Sequence, residues 1–337
     1  MSKKIIYWTG VYSPEKEAVS KEVHLLHTNF SSSIVYGISS YDWLRFSLKQ
    51  RYIVHFYRPY RLVPRLIPLI SSRFDLSHIY HSLHNHYFLD NLSKKPIILT
   101  AATGGAILEP ARYEKIDRIV LESAYDLERV RHAGIPEEKL SLIYPGLDLS
   151  DFSYQEPDQD FTILFASSPF SSEYFGARGI DLLIAAAAAC QDVRFLLLWR
   201  RWSGTVQTIT PMVQGKTNII LNTNIIRNMG TFLNGVHAVI APFTSPMLTK
   251  PCPNSIIEGL AAGKPALVSD KVSIAHLIEQ EQCGIVFPPE KGALVAAIHE
   301  LKKNYRTYQQ HARHCAERYF SKDIFLAQYE SLYNDLL

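Results

Sequence analysis

The sequence predicts an α/β protein made of two doubly wound domains, each a largely parallel sheet covered by helices. The chain has 337 residues, too many for one ordinary core and suited to two domains of about 150 residues each. Short apolar runs alternate with helix-length stretches in both halves, the pattern of strands in a covered parallel sheet. Between the halves, SDFSYQEPDQD is acidic and poor in core formers, as a linker should be.

Taken in order, KKIIYW, RYIVHFY, PIILT and RIVLES read as strands of the first half. FTILFAS, VRFLLLW, TNIIL, HAVIAPF, PALVS and GIVFPP read as strands of the second, with GIDLLIAAAAAC and NSIIEGLAAG as helices between them. The last segment places Ile324, Phe325, Tyr329, Leu332, Tyr333 and Leu336 at three- and four-residue steps, a helix stripe. These readings divide the chain into residues 1–152, 153–319 and a final helix over 320–337.

Composition limits the function classes. Hydrophobic residues make up 47% of the chain, and no run of about 18 apolar residues is present to span a bilayer. The start, MSKKIIYWTGVYSP, has only a brief apolar stretch before a polar turn, so it reads as a first strand and not a secretory signal. Cys190, Cys252, Cys283 and Cys315 are scattered without C-x-x-C spacing, which favours free thiols in a reducing compartment, the cytoplasm, over a zinc site. The histidines of SHIYHSLHNHYF, His78, His81, His84 and His86, have no acidic or Cys ligand in metal spacing, and no metal is expected.

The most informative passage is Pro251 to Asp270, PCPNSIIEGLAAGKPALVSD. Ser255 can cap a helix whose apolar face is Ile256, Ile257, Leu260 and Ala261 and which Gly263 and Pro265 stop. Such a helix directs its N-terminal amides and positive dipole end to the carboxyl edge of the sheet, where a diphosphate binds favourably. Ser255 and Glu258 also have the S-x-x-E spacing of a capping box, which needs no ligand.

This passage resembles the donor-nucleotide signature of retaining glycosyltransferases of the GT-B fold, family 4, in which E-G-L-A-x-G-x-P follows a Pro-, Asn- and Ser-rich loop. IYPGLDLSDF, Ile143 to Phe152, is similar to that family's interdomain hinge, and Arg178-Gly179 stands where a Lys-Gly or Arg-Gly pair usually sits. The resemblance implies two Rossmann-like domains facing across a cleft, with the nucleotide-sugar held by the second and the final helix crossing back to the first. It implies that Glu258 accepts hydrogen bonds from the ribose hydroxyls and that Asn254, Ser255 and the amide of Ile256 face the diphosphate. Arg178 with Gly179 would serve the donor phosphates, and Arg200 or Arg201, at the mouth of the strand FLLLW, either adds a phosphate contact or is a surface arginine. Retention at the anomeric carbon, with the leaving phosphate helping to deprotonate the acceptor, is implied too. Domain closure about Pro145 to Asp151 would exclude water.

The chain departs from the family pattern in several places. Eight residues before Glu258, where a second glutamate is common, stands Lys250, open to three readings: a contact to a donor carrying a carboxylate, a catalytic candidate, or a solvated loop residue. Where a Gly-Gly pair often lies in the first loop, TGVYSPEKEAVSKEV has Lys16 and Glu17, leaving Tyr12 as a candidate there. Thr103, Gly104 and Gly105 follow the strand PIILT and could serve phosphate or acceptor. The histidine often found near that strand end is replaced by Ala101 and Ala102, so His84 and His86 are the candidates for a catalytic histidine.

Residues 1–150 hold 19 Lys and Arg against 15 Asp and Glu, and the remainder 16 against 17. From Trp43 to Arg73 basic and aromatic residues interleave without an acid, a surface suited to an anionic membrane and so to a lipid-linked acceptor, or else an ordinary solvated edge. No nucleic-acid recognition motif accompanies it. The expected activity is transfer of a sugar from a nucleotide-sugar, a UDP- or GDP-sugar, to a glycan or lipid-linked acceptor in cell-surface polysaccharide or glycoconjugate biosynthesis. It needs no cofactor or metal, and the protein would be cytoplasmic or peripheral at the inner face of the membrane. The alternatives are an inactive relative that binds a nucleotide or glycan, and a sugar-nucleotide epimerase. A dehydrogenase is disfavoured because no G-x-G-x-x-G follows KKIIYW.

Overall fold

A computed structural model describes residues 3–15, 17–39, 44–56, 63–81, 87–92, 96–103, 109–158, 160–201, 204–247 and 249–337. The chain forms two compact units. Unit 1 comprises Met1–Gly146, Leu248–Pro251 and Lys322–Leu337, and unit 2 comprises Leu147–Met247 and Cys252–Ser321. The first boundary thus differs from the expected limit at 152, because Leu147 donates its amide to Phe320 and bridges Ser321, both in unit 2.

Unit 1 is built on strands β1 (Ile5–Thr9), β2 (Ser33–Ser39), β3 (Leu44–Ser47), β4 (Tyr52–Phe56), β5 (Leu76–His81), β6 (Ile97–Ala101), β7 (Arg118–Leu121) and β8 (Leu140–Leu142). They lie in the order β3-β4-β2-β1-β5-β6-β7-β8, parallel throughout except for the β3/β4 pair. Helices α1 (Ala18–Asn29), α2 (Val63–Ser71), α3 (Tyr87–Asn91) and α4 (Ala124–His132) connect them, and the C-terminal helix Lys322–Leu336 completes the unit. Every side chain of β1 is buried, and the pleat sorts them by period two. Ile5 and Tyr7 join Val23 and Leu26 of α1 and Phe325, Tyr329 and Tyr333 of the C-terminal helix. Ile6 and Trp8 join Ile67 of α2, Phe88 and Leu89 of α3 and Val130 of α4.

Strand β5 runs through the histidine-rich stretch and was not apparent from the apolar runs. His78 lies within it, fully buried. Its Nδ1 is 2.8 Å from the Tyr333 hydroxyl and its Nε2 is 2.7 Å from Thr100 Oγ1, so the ring is satisfied inside the core. His84 and His86 lie outside the described residues.

Unit 2 carries β9 (Thr162–Phe165), β10 (Arg194–Leu198), β11 (Ile219–Asn222), β12 (Ala238–Ala241), β13 (Ala266–Ser269) and β14 (Gly284–Phe287). All are parallel, in the order β11-β10-β9-β12-β13-β14. Helices α5 (Ile180–Ala189), α6 (Thr205–Val213), α7 (Met229–Leu233), α8 (Asn254–Ala261), α9 (Ala275–Gln280), α10 (Lys291–Lys303) and α11 (Tyr305–Tyr319) cover the sheet. Strands β9, β12 and β13 are buried along their whole length, as their unbroken apolar runs require. The winding direction reverses between β9 and β12, which places a switch-point crevice at their carboxyl ends. Arg313 of α11 joins the linker to α8 by donating from Nη1 to the carbonyls of Phe152 and Ala261 at 2.9 and 2.6 Å.

The four cysteines are buried, and none is in a disulfide. Among the described residues no helix is long and apolar enough to cross a membrane.

Candidate functional site

The switch point of unit 2 gathers most of the sequence-predicted donor residues. The chain leaving β12 reaches Pro242, Phe243 and Thr244, and the long loop after β9 folds onto it. Thr244 donates its amide to Ala177 at 3.0 Å and its hydroxyl to Gly176 at 2.9 Å. Gly179 follows at φ 68°, and a Cβ there would stand 1.8 Å from the Pro242 carbonyl oxygen. Only glycine meets both conditions.

That contact fixes Arg178, whose guanidinium carbon lies 4.9 Å over the Phe243 ring. Burial, and then the positive charge of Arg200, pull its pKa down to about 10. Arg200 follows β10, with its backbone amide held by Ser168 Oγ at 3.1 Å. Arg201 instead reaches Thr223 Oγ1 at 3.3 Å on the surface. Arg178 and Arg200 thus both bring positive charge to the carboxyl-end side of neighbouring strands β9 and β10.

Helix α8 begins beside them. Its N-cap is Pro253, in extended conformation, and no side chain caps it. Ser255 is therefore the second residue of the helix and not its cap, and Glu258 lies too far along to close a capping box. The Ser255 hydroxyl turns to the end of β9, where its Oγ is 2.8 Å from that of Ser167. The Ile256 amide, expected to face a diphosphate, donates to the Pro253 carbonyl at 2.9 Å. This leaves Asn254 and Ser255 as the first-turn amides with no acceptor inside the helix. The buried Oδ1 of Asn254 has no hydrogen-bond partner. Glu258 is only 4% exposed, a carboxylate carried on the buried side of a helix otherwise apolar there. Gly263 ends the helix at φ 68°, with Lys264 and Gly263 donating to Gly259 and Leu260 as in a Schellman turn.

The remaining candidates lie in unit 1. Tyr12 is 4% exposed; its hydroxyl bonds His24 Nδ1 at 3.0 Å and its carbonyl accepts from Arg45 Nη2 at 2.5 Å. Burial, with Tyr52 nearby, pushes its phenol up to about 12. Thr103 lies just past β6, partly buried, while Gly104 and Gly105 lie outside the described residues. Lys250 is not a solvated loop residue. Its ammonium is 2.6 Å from Glu22 Oε1 and 2.7 Å from Glu122 Oε2, with both carboxylates buried. His81, at the carboxyl end of β5, packs its ring against Gly10 at the end of β1.

Sequence reasoning missed Ser167, Phe243, Glu22 and Glu122. The first two directly follow strands at the switch point, a positional signal that was available. Glu122 is an acid ending the apolar run RIVL, another usable signal, whereas Glu22 looks like any helix-surface acid.

Residues 162–304 match the family of glycosyl transferases, group 1. The chain is similar in structure to sucrose-phosphate synthase from Thermosynechococcus elongatus, with a TM-score of 0.77, 16% identity and coverage of 99% of both chains. It is also similar to HepE of Anabaena in complex with UDP, with a TM-score of 0.76, 15% identity and coverage of 99% of this chain and 100% of the other. For the lipopolysaccharide outer core galactosyltransferase WaaB the TM-score is 0.73, with 13% identity and coverage of 98% and 100%. No curated protein matches the sequence closely enough to count as a relative.

Proposed function

We propose, from the match of residues 162–304 to the group 1 glycosyl transferases and from the GT-B fold, that the protein transfers a sugar, with retention, from a nucleotide-sugar to a glycan or lipid-linked acceptor. The observation that carries this reading is the switch point itself, where the uncapped first turn of α8 meets the end of β9 through Ser255 and Ser167 and Gly179 packs the Arg178 loop on Pro242. Paired cations and first-turn amides fit a diphosphate whose charge grows as the glycosidic bond breaks. Glu258 receives the ribose hydroxyls, and Asn254 Oδ1 gains in the donor the partner it lacks in the protein. UDP-sugars are the first candidates because HepE is described with UDP and with UDP-glucose, and GDP-sugars the second. No metal enters this reading, since the arginines and amides supply the positive charge.

The test is a thermal-shift panel of UDP- and GDP-sugars, followed by product analysis with acceptor glycans. A donor at a hundredfold its dissociation constant raises stability by about 2.7 kcal/mol. Glu258→Ala should abolish that shift without unfolding the protein, and retention of the shift would remove Glu258 from the site.

A second reading, a nucleotide-binding relative without turnover, is favoured by one observation: Lys250, at a position where the resembled family has an acid, is engaged by the chain's own carboxylates. Binding without product under all acceptors supports it.

The lipid-linked class of acceptor is supported by the edge hairpin β3–β4. There Leu44, Phe46 and Leu48 are 60%, 64% and 88% exposed, while Arg45 turns inward. Apolar side chains at an edge with Lys49 next in sequence suit an anionic bilayer surface. Trp43 and residues 57–62 of the expected surface lie outside the described residues. Flotation with anionic vesicles tests this, and Phe46→Asp should abolish it.

A further inference from the structure

Buried polar side chains are hydrogen-bonded to one another in the core of unit 1, and Tyr80 joins that core to the Lys250 cluster. Tyr7 and Tyr333 hydroxyls are 3.3 Å apart, Tyr333 meets His78 Nδ1 at 2.8 Å, and His78 Nε2 meets Thr100 Oγ1 at 2.7 Å. Thr100 continues to the Tyr329 hydroxyl at 2.8 Å, and Tyr80, in the same core, donates to Glu22 Oε2 at 2.5 Å. Burial keeps His78 neutral by lowering its pKa to about 3.

Lys250 bridges Glu22 and Glu122, and both carboxyl groups are buried. With a proton on Glu122 the cluster is neutral; without it, a net negative charge would be buried. Burial, then Glu22, raises Glu122 well above the usual carboxylate range. Burial acts to lower Lys250, but Glu122 and Glu22 outweigh it and hold the ammonium above its ordinary value.

We propose that Lys250 is a positioning residue: with the buried carboxyl groups of Glu22 and Glu122 it fixes Thr249–Pro251, the segment leading into α8, and it does not read the sugar of the donor. The inference deepens the donor reading above and rests on it for its functional consequence, that Lys250 gives no preference for a carboxylate-bearing donor.

The test compares wild type, Lys250→Met, and the neutral triple variant Lys250→Met, Glu22→Gln, Glu122→Gln. Lys250→Met should melt lower and be cut by subtilisin near residue 250 about fivefold faster. It should also bind UDP or GDP about tenfold more weakly. The triple variant should recover all three properties to within about twofold, because glutamines can bond Tyr80 and each other without charge. Wild-type melting temperature should fall as pH rises and the Glu122 proton is lost, a dependence absent from the triple variant. A Lys250→Met protein as stable as wild type, or a triple variant no better than the single, overturns the proposal. So does a refolded triple variant that has changed its ratio of neutral-sugar to uronate-sugar turnover. If wild type binds neither UDP nor GDP, the donor reading falls, while melting and proteolysis still decide the cluster.

Discussion

Ser167 and Ser255 stand with their Oγ atoms 2.8 Å apart, joining the second residue after β9 to the first turn of α8. Two hydroxyls bring two hydrogens to one bond, so one hydrogen is left to offer a ligand. Ser167→Ala and Ser255→Ala should each cost about 1 kcal/mol of stability by denaturant titration. Their double variant should cost less than the sum, since the second change removes a group already without its partner.

Arg178 carries a different sign. Its guanidinium is disfavoured by burial and by Arg200, so Arg178→Gln should leave the ligand-free protein as stable as before or slightly more so. Loss of a charge-assisted contact to a diphosphate should weaken donor binding by roughly 1.5–3 kcal/mol. Calorimetric titration with the nucleotide checks one half and thermal melting the other; a destabilised variant with normal binding would make Arg178 structural.

At Gly179 both backbone and space exclude a side chain. Gly179→Ala adds a left-handed-conformation cost of about 1–2 kcal/mol to a clash with Pro242 that only loop movement can relieve. Melting temperature should fall, and nucleotide affinity should fall further than in Ser167→Ala because Arg178 moves with the loop.

The buried His78 sets an acid limit for unit 1. Its pKa falls from 6.5 to about 3 on folding, so the unfolded chain binds the extra proton in that window and stability declines as pH drops from 6.5 toward 3. The slope approaches about 1.4 kcal/mol per pH unit for one proton. His78→Gln, which cannot be protonated, should lose that part of the acid limb in urea titrations at stepped pH, although its stability at neutral pH is lower.

What could be read from sequence follows the physics of each element. Uniformly apolar strands such as TILF and AVIA announce themselves, since both faces are covered. Strand β5 did not, because its buried positions include Ser77 and His78, polar groups made tolerable only by partners far along the chain. Strand β3 reverses the usual alternation, with Leu44 and Phe46 outward. At the site, Glu258, Arg178 and Gly179 were singled out by the family resemblance and not by spacing alone. The role of Ser255 was misread because Pro253 moves the helix start by two residues. Lys250 could not be read at all, since Glu22 and Glu122 lie 228 and 128 positions away.

The C-terminal helix has a consequence for biosynthesis. It supplies Phe325, Tyr329 and Tyr333 to a core otherwise made from the first residues synthesised, so the portion of the protein begun first at the ribosome is the last to be closed. Until residue 322 emerges, the hydroxyls and imidazole that meet Tyr329 and Tyr333 have only water to bond. The core on that face of the amino-terminal sheet therefore cannot be completed before the C-terminal helix has been made.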